Sequence, residues 1–233
     1  MPAAGRSTQN RLLSALPAAE LDRLWPDLHP VAWSIQQTVC EVGDPIEQVY
    51  FVEHGMACVV VMMATGATAE VGMIGAEGMI GVGALLGAEA TAQRVIVQVP
   101  GSALRMNVAQ CKAAFAHYPA FHAGVLHFVG ALLHLSGQIA ACNRLHTARQ
   151  RCARWLLMTS DRIGTDTMPL THEFLSSMLG VRRTGITAIM RELQRSGCVR
   201  YRHGQLAITD REGLEGAACE CYRIDREQLR RLP

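Results

Sequence analysis

Short apolar runs separated by glycine-containing turns characterise the first half of the chain. Between Val31 and about Met106 the runs are five to seven residues long, and they include Gln48–Val52, Met56–Met62 and Arg94–Val99. The turns between them contain Gly43-Asp44-Pro45, His54-Gly55, Thr65-Gly66 and Pro100-Gly101. Strands of this length and spacing predict an antiparallel β-barrel or roll. The glycine-rich stretch 72–87 interrupts the pattern, either as a functional loop with a short helix or as a plain irregular connection.

The apolar period changes near Tyr118. Apolar residues then follow one another in steps of four and three, at Phe121, Val125, Phe128, Leu132, Leu135, Ile139 and Cys142. This spacing is a heptad seam, and it predicts a helix over about 118–146 that pairs with its copy in a second chain. A helix packed on its own domain is the alternative, although its apolar stripe would follow a period near 3.6. We place the domain boundary after this helix, giving domains 1–146 and 147–233.

Residues 170–196 have the pattern of two helices joined by a tight turn. Thr171 is suited to cap the first helix, and Leu179-Gly180-Val181 provides a turn in which glycine can adopt a left-handed conformation. The second helix is predicted over 182–195. Its apolar face consists of Ile186, Ile189, Met190 and Leu193.

The polar positions around this turn indicate DNA binding. In a helix-turn-helix the start of the second helix enters the major groove, and here it holds Arg182, Arg183, Thr184, Thr187 and Ala188. Arginine can pair with two acceptors of guanine, and threonine can contact a base edge or a thymine methyl group. Thr171 and His172, at the start of the first helix, are placed to contact phosphate.

A β-hairpin is predicted directly after the second helix. Residues 198–208 alternate on either side of His203-Gly204, where glycine can adopt a positive φ. This hairpin resembles the wing of a winged helix, and Arg200, Arg202 and His203 could reach the DNA backbone. The alternative is an ordinary helical hairpin with a solvated arginine face. The whole pattern predicts an α+β chain with an N-terminal antiparallel β-roll, a long dimerisation helix and a C-terminal winged helix-turn-helix.

The distribution of charge supports this division. Residues 1–139 contain six lysines and arginines against ten aspartates and glutamates, whereas residues 140–233 contain sixteen against ten. Only the second part is therefore expected to meet a polyanion such as DNA. No signal peptide and no uninterrupted apolar run of membrane-spanning length is evident, so we expect a cytoplasmic protein with no membrane partner and eight reduced cysteines.

Catalytic and metal-binding patterns are weak. The chain has no HExxH, GxSxG, phosphate-loop or dinucleotide fingerprint, and we predict neither an enzyme nor catalytic residues. Cys219-Glu-Cys221 is an isolated C-x-C sequence. It favours one small buried thiol and a second cysteine without a chemical role, in preference to metal or redox chemistry. Of the histidines at 117, 122, 127 and 134, only His127 and His134 would share a helix face, and solvated or core histidines are favoured over a haem or metal site. No metal or other cofactor is predicted.

The chain resembles the Crp/Fnr family of bacterial regulators over nearly its whole length. Residues 170–208 resemble the family's winged helix-turn-helix, Glu41–Val61 resembles its cyclic-nucleotide-binding-like β-roll with Gly43 and Gly55 at turns, and the seam falls where the family has its dimerisation helix. The resemblance implies a homodimer on a roughly palindromic operator, with recognition helices about 34 Å apart. It also implies contact with RNA polymerase if the protein is an activator. The recognition helix has Thr184 and Ala188 where well-known members carry other residues, so their operator should not be assumed.

The sensory half departs from the cyclic-nucleotide-binding members of that family. Those members bind ribose with Gly-Glu and the cyclic phosphate with arginine, and the matching positions here are Gly81-Val82 and Gln93-Arg94. A buried phosphate without its fixed arginine would be costly, so cyclic AMP is disfavoured, and the pocket binds another small effector or none. Iron–sulfur members gather cysteines near the N-terminus, whereas the first cysteine here is Cys40. A second hypothesis is a small-molecule-binding signalling module that acts through protein partners instead of DNA.

Overall fold

The N-terminal half is built around an antiparallel sheet. A computed structural model of the chain describes residues 7–232. Its first six strands are β1 (His29–Trp33), β2 (Thr38–Cys40), β3 (Gln48–Met62), β4 (Thr68–Ile74), β5 (Met79–Ile80) and β6 (Arg94–Asn107). The central order is β1-β6-β3-β4, while β2 pairs with β6 and β5 pairs with β3. The prediction of an N-terminal antiparallel β domain is therefore confirmed.

Two of the predicted turns lie inside strands. Strand β3 continues through His54-Gly55 and β6 continues through Pro100-Gly101, so the prediction of strand breaks at both places was wrong. A Cβ atom on Gly101 would lie 2.0 Å from the carbonyl oxygen of His54, and one on Gly55 would lie 2.4 Å from that of Val99. Glycine is therefore required at both positions because the two backbones approach closely, and at Gly55 also because its φ is 79°.

The glycine-rich stretch 72–87 contains regular structure. It includes the end of β4, the short strand β5 and a 3-10 helix over Val82–Leu86. Gly81 and Gly87 flank the 3-10 helix with φ of 89° and 96°. The short helix of the first alternative is therefore present, and the stretch is not a plain irregular connection.

Helices dominate the remainder of the chain. In chain order they are α1 (Arg11–Ser14), α2 (Ala18–Leu24), α3 (Val108–His117), α4 (Pro119–Leu145), α5 (Ala148–Ile163), α6 (His172–Leu179), α7 (Arg183–Arg195), α8 (Arg211–Ala217) and α9 (Cys221–Arg230). A small sheet in the order β7-β9-β8 consists of β7 (Thr167–Pro169), β8 (Val199–Arg202) and β9 (Gln205–Ile208).

The chain consists of two compact units. The first contains residues up to Cys58, then Met73–Leu133 and the chain from Leu229 onward, and the second contains Val59–Gly72 and His134–Gln228. The division falls within α4 and assigns the tip of the β3–β4 hairpin to the second unit. The boundary at 146/147 follows instead the end of α4, and it stays our proposal for the limit of the DNA-binding domain.

The apolar seam predicted on α4 is largely buried within a single chain. Five of its seven residues are at most 7% exposed, namely Phe121, Val125, Phe128, Leu135 and Cys142. Phe121 packs against Phe51 with ring centroids 6.0 Å apart. The prediction that these five residues contact a second chain was therefore wrong, because their side chains are already buried within their own chain. Leu132 and Ile139 are half-buried.

Helix α4 is also the one helix in the described residues that is long and apolar enough to cross a membrane by length and composition. Its sequence includes His122, His127 and His134. A single helix of this kind is weak evidence for a membrane span, because core helices of other proteins pass the same test.

The core of the second unit is centred on Trp155 of α5. This side chain is 2% exposed, packs edge-on against Phe174 with ring centroids 6.5 Å apart, and donates its indole N–H to Glu70 at 3.0 Å. Arg154, its neighbour, contacts the fully buried Asp225 of α9 at 2.7 Å. These contacts hold α5 between the β3–β4 hairpin and the last helix. Helix α5 in turn packs against α6 through Trp155 and Phe174.

Candidate DNA-binding interface

Local sequence sets the ends of the helix-turn-helix formed by α6 and α7. The Thr171 hydroxyl accepts the Phe174 backbone N–H at 3.1 Å and so caps α6. Gly180 ends this helix in the left-handed conformation, with φ of 61°. Arg151 of α5 donates to the carbonyl oxygen of Leu179 at 3.1 Å, which satisfies an acceptor at the helix C-terminus. The predicted helix-turn-helix is confirmed.

The start of α7 is exposed and positively charged. Arg182, Arg183 and Thr184 are exposed, as is Ala188 one turn later. Arg182 occupies the N-cap position and makes no capping hydrogen bond with its side chain to any described residue. The backbone N–H groups of the first turn are therefore available to an anion such as phosphate. The opposite face of the helix is buried and consists of Ile186, Ile189, Met190 and Leu193, as predicted.

Arg183 is held only loosely. Its Nε lies 3.6 Å from the Glu173 carboxylate, and both side chains are 71% exposed. An ion pair this open to water contributes little to stability. Arg183 can therefore leave Glu173 for a stronger acceptor at small cost, as pairing with a guanine base would require.

Thr187 and His172 join the two helices to the hairpin that follows. The Thr187 hydroxyl donates to the carbonyl oxygen of Arg183 at 3.0 Å and contacts Nδ1 of His172 at 3.1 Å. Since the hydroxyl has one proton, Nδ1 of His172 must be the donor of the second bond. The His172 ring also stacks on Tyr201 at 4.8 Å. Both side chains are half-buried, and their mutual hydrogen bond positions this surface.

His172 should make the stability of this domain depend on pH. Burial lowers its pKa below the ordinary value of 6.5, and repulsion by Arg183 and Arg191 lowers it further. Below pH 6.5 the unfolded chain therefore binds a proton that the folded chain binds only at lower pH, so the free energy of unfolding falls as the solution is acidified from that point. Urea unfolding at pH 8 and pH 5.5 should show a smaller difference in His172→Gln than in the wild type. An equal difference in both proteins would contradict this role.

The hairpin after α7 has the geometry of a wing. His203 and Gly204 have φ of 51° and 75°, and Arg202 pairs with Gln205 across them. Two central residues with positive φ define a tight two-residue hairpin turn. Arg200, Arg202 and His203 are all exposed, on the strand and at its tip.

Arg191 belongs to the same surface, although the sequence-based prediction omitted it. It follows Thr184 and Ala188 at spacings of four and three along α7, which places it on the same face of the helix. It is exposed, and it lies close enough to His172 to lower the pKa of that ring. The helical spacing could have revealed Arg191 as a further candidate for phosphate contact.

Two family models match the two halves of the chain. The Crp-like helix-turn-helix domain matches residues 150–217, and the cyclic nucleotide-binding domain matches residues 31–118. The chain therefore combines a cyclic nucleotide-binding domain with a Crp-like helix-turn-helix domain, which confirms the predicted resemblance to Crp/Fnr regulators. A comparison with curated proteins finds no match.

Solved structures of Crp/Fnr-type regulators have the same fold. The c-di-GMP-responsive regulator CLP of Xanthomonas campestris matches with a TM-score of 0.70 at 14% identity, over 83% of this chain and 100% of its own. FixK2 of Bradyrhizobium japonicum matches with a TM-score of 0.71 at 14% identity, over 82% and 98%. A CRP-family regulator of Thermus thermophilus matches with a TM-score of 0.70 at 18% identity, over 82% and 99%.

The positions that correspond to the nucleotide-binding residues hold different side chains from those of the cyclic-nucleotide-binding pattern. Val82 is half-buried at the start of the 3-10 helix, and Gly81 before it lies against Gln48 and Val49. Gln93 is exposed. Arg94 is committed to Glu41, with Nε 2.9 Å from Oε1 and a terminal nitrogen 2.8 Å from Oε2. Such a two-point pair occupies the fork that a cyclic phosphate would need.

Proposed function

We propose that the chain is a sequence-specific transcription regulator that binds a near-palindromic operator as a homodimer. Its fold is that of a Crp/Fnr-type regulator with a helix-turn-helix DNA-binding domain. The observation that carries the proposal is the exposed start of α7, where Arg182, Arg183 and Thr184 lie beside free backbone N–H groups. The wing residues Arg200, Arg202 and His203 would contact the flanking sugar-phosphate backbone, together with Thr171. The phosphate contact predicted for His172 is not retained, because its Nδ1 is bonded to Thr187 and its Nε2 is buried.

An exposed stripe on α4 supports the homodimer. It consists of six residues at spacings of three and four, namely Ala123, Leu126, Gly130, Leu133, Gly137 and Ala140. Leu126 is 46% exposed and Leu133 is 71% exposed, and together with the small residues beside them they form an exposed apolar stripe along one face of the helix. The small residues between them would let a second α4 approach closely. We propose this stripe as the dimer seam, one or two positions further along the helix than the periodicity of the sequence indicated.

The sensory domain is proposed not to respond to cyclic AMP. The pairing of Arg94 with Glu41 and the presence of Val82 at the ribose position both support this. A different small effector, or none, is compatible with the region formed by Gly81, Val82, Gln93 and Arg94. As a regulator of this kind the protein would act in the cytoplasm, and as an activator it would also contact RNA polymerase.

Selection of genomic DNA by the purified protein tests the function directly. Fragments recovered with and without cyclic AMP, other cyclic nucleotides and oxidant should share a near-palindromic sequence, and cyclic AMP should not alter their enrichment. Fluorescence anisotropy on the selected duplex should show an affinity that falls steeply with salt. If no fragment is enriched under any condition and duplex binding is absent at low salt, the protein acts through protein partners.

Arg183→Ala should weaken binding to the selected operator by about 1–3 kcal/mol, or roughly 5- to 150-fold, because one arginine–base pairing is lost. The preference for one base in each half-site should relax as well. Arg105→Ala is the matched control, since Arg105 is an exposed arginine on β6 and its removal changes the net charge equally. Equal losses in the two variants, with no change in base preference, would exclude Arg183 from reading bases.

A further inference from the structure

Four side chains that could bind a metal ion come together in the second compact unit. Cys142 lies in the last turns of α4, His146 follows the end of that helix, Cys219 precedes α9, and Cys221 begins it. One ligand atom from each of the four lies within 4.8 Å of every other. The Sγ atoms of Cys142 and Cys219 are 3.5 Å apart, and Sγ of Cys221 is 3.6 Å from Nδ1 of His146.

These distances match a single tetrahedral ion. Zinc–sulfur bonds of about 2.3 Å place two sulfur atoms of a tetrahedral site about 3.8 Å apart, and zinc–nitrogen bonds are slightly shorter. The two closest pairs are therefore near the separation that such a site requires, and the four ligand atoms are close enough together to surround one ion. From these contacts we infer a mononuclear site for a thiophilic divalent cation of the zinc class, bound by Cys142, His146, Cys219 and Cys221.

The surroundings of the four ligands are suited to a bound ion. Nε2 of His146 lies 3.2 Å from the Glu220 carboxylate, and this contact leaves Nδ1 on the side of Cys221 Sγ. Histidine ligands commonly use their second nitrogen in this way. The side-chain amide of Gln138 donates to Sγ of Cys221 at 3.0 Å, a bond that would stabilise a thiolate. Hydrogen bonds of this kind, from neighbouring residues to the ligands, are typical of metal sites in proteins.

The donor set and its burial identify the kind of site. Three thiolates and one imidazole form a soft set that selects zinc-like ions over magnesium or calcium. All three cysteines are buried, and the side chain of His146 is 15% exposed. With four protein ligands no position is left open for water or substrate, so the ion would be structural. It would cross-link the C-terminal end of α4 to the start of α9, which are far apart in sequence.

Cobalt binding to the full-length protein tests this site. The protein is purified under reducing conditions, stripped with a chelator and titrated with Co²⁺ alone. We expect one equivalent per chain, with visible d–d bands of tetrahedral cobalt and near-ultraviolet thiolate charge-transfer bands, and their displacement by one equivalent of Zn²⁺. Elemental analysis of the protein as purified gives the ion it carries.

Variants assign the ligands. Cys219→Ser and Cys221→Ser should each reduce or abolish the charge-transfer bands, whereas Cys111→Ala removes a buried cysteine of α3 outside the cluster and should leave them unchanged. Glu220→Gln keeps the protein folded because this side chain is 61% exposed, and it should weaken the affinity for the metal by about 10- to 100-fold. Affinity equal to the wild type in Glu220→Gln would remove the proposed role of Glu220 in orienting His146.

Two results would overturn the site. One is the absence of tetrahedral cobalt bands in the folded wild type, or bands that persist unchanged in both serine variants. The other is a disulfide between Cys142 and Cys219 in protein kept under cytoplasmic reducing conditions, detected as a loss of two free thiols and a mass lower by two hydrogens. In that case Cys142 and Cys219 would form a disulfide, and neither could bind a metal ion as a thiolate.

Discussion

Leu133→Glu is expected to convert the dimer into folded monomers that have lost at least roughly 100-fold in operator affinity. Leu133 is 71% exposed in the single chain, so a charged side chain there should leave the fold intact. In the proposed dimer it would face its own copy, where two carboxylates would be buried together at high cost. Without the second subunit, each half-site would be bound without the gain from simultaneous binding. Sedimentation velocity and anisotropy on the selected operator measure the two effects.

The control for this variant is Leu135→Glu, two residues further along α4. Leu135 is 7% exposed, so this substitution should unfold the surrounding region and lower the melting temperature, whereas Leu133→Glu should not. If Leu133→Glu remains dimeric and binds the operator normally, the seam formed by Leu126, Leu133 and their small neighbours is not the dimer contact.

Trp155→Ala should reduce the free energy of unfolding of the second unit by about 3–5 kcal/mol, because it empties the centre of that core. Trp155 is among the largest fully buried side chains, and its indole N–H is bonded to the buried Glu70. Urea denaturation followed by far-ultraviolet circular dichroism measures the change.

Trp155→Phe separates the two contributions to this effect. It keeps most of the ring volume and removes the hydrogen bond to Glu70, so its cost should be smaller than that of the alanine variant. An alanine variant as stable as the wild type would mean that Trp155 is not the centre of this core.

Local signals made the DNA-binding elements predictable. Thr171 at the N-cap, Gly180 at the turn and the pair His203-Gly204 each specify backbone geometry within a few residues, and the structure has all three as expected. Thr187 was harder to interpret. Its spacing placed it on the DNA side, but the sequence could not reveal that its hydroxyl is bonded to Arg183 and His172.

Features that depend on distant parts of the chain could not be derived in the same way. A heptad pattern on α4 shows that an apolar face is covered, but it does not say whether the covering residues come from the same chain or a partner. Gly55 and Gly101 resemble turn residues until β3 and β6 are seen to touch there. Likewise, Cys219-Glu-Cys221 is isolated in the sequence, and only folding brings it to Cys142 and His146.

The bond between Trp155 and Glu70 has a consequence for dissecting this protein. Glu70 comes from β4, yet it satisfies a polar group in the core beneath α6 and α7. A fragment cut at Thr147 would leave the indole N–H without its acceptor and open one side of that core to water. Residues from 147 onward are therefore not expected to be fully stable alone, because the core around Trp155 includes Glu70 from the N-terminal sheet.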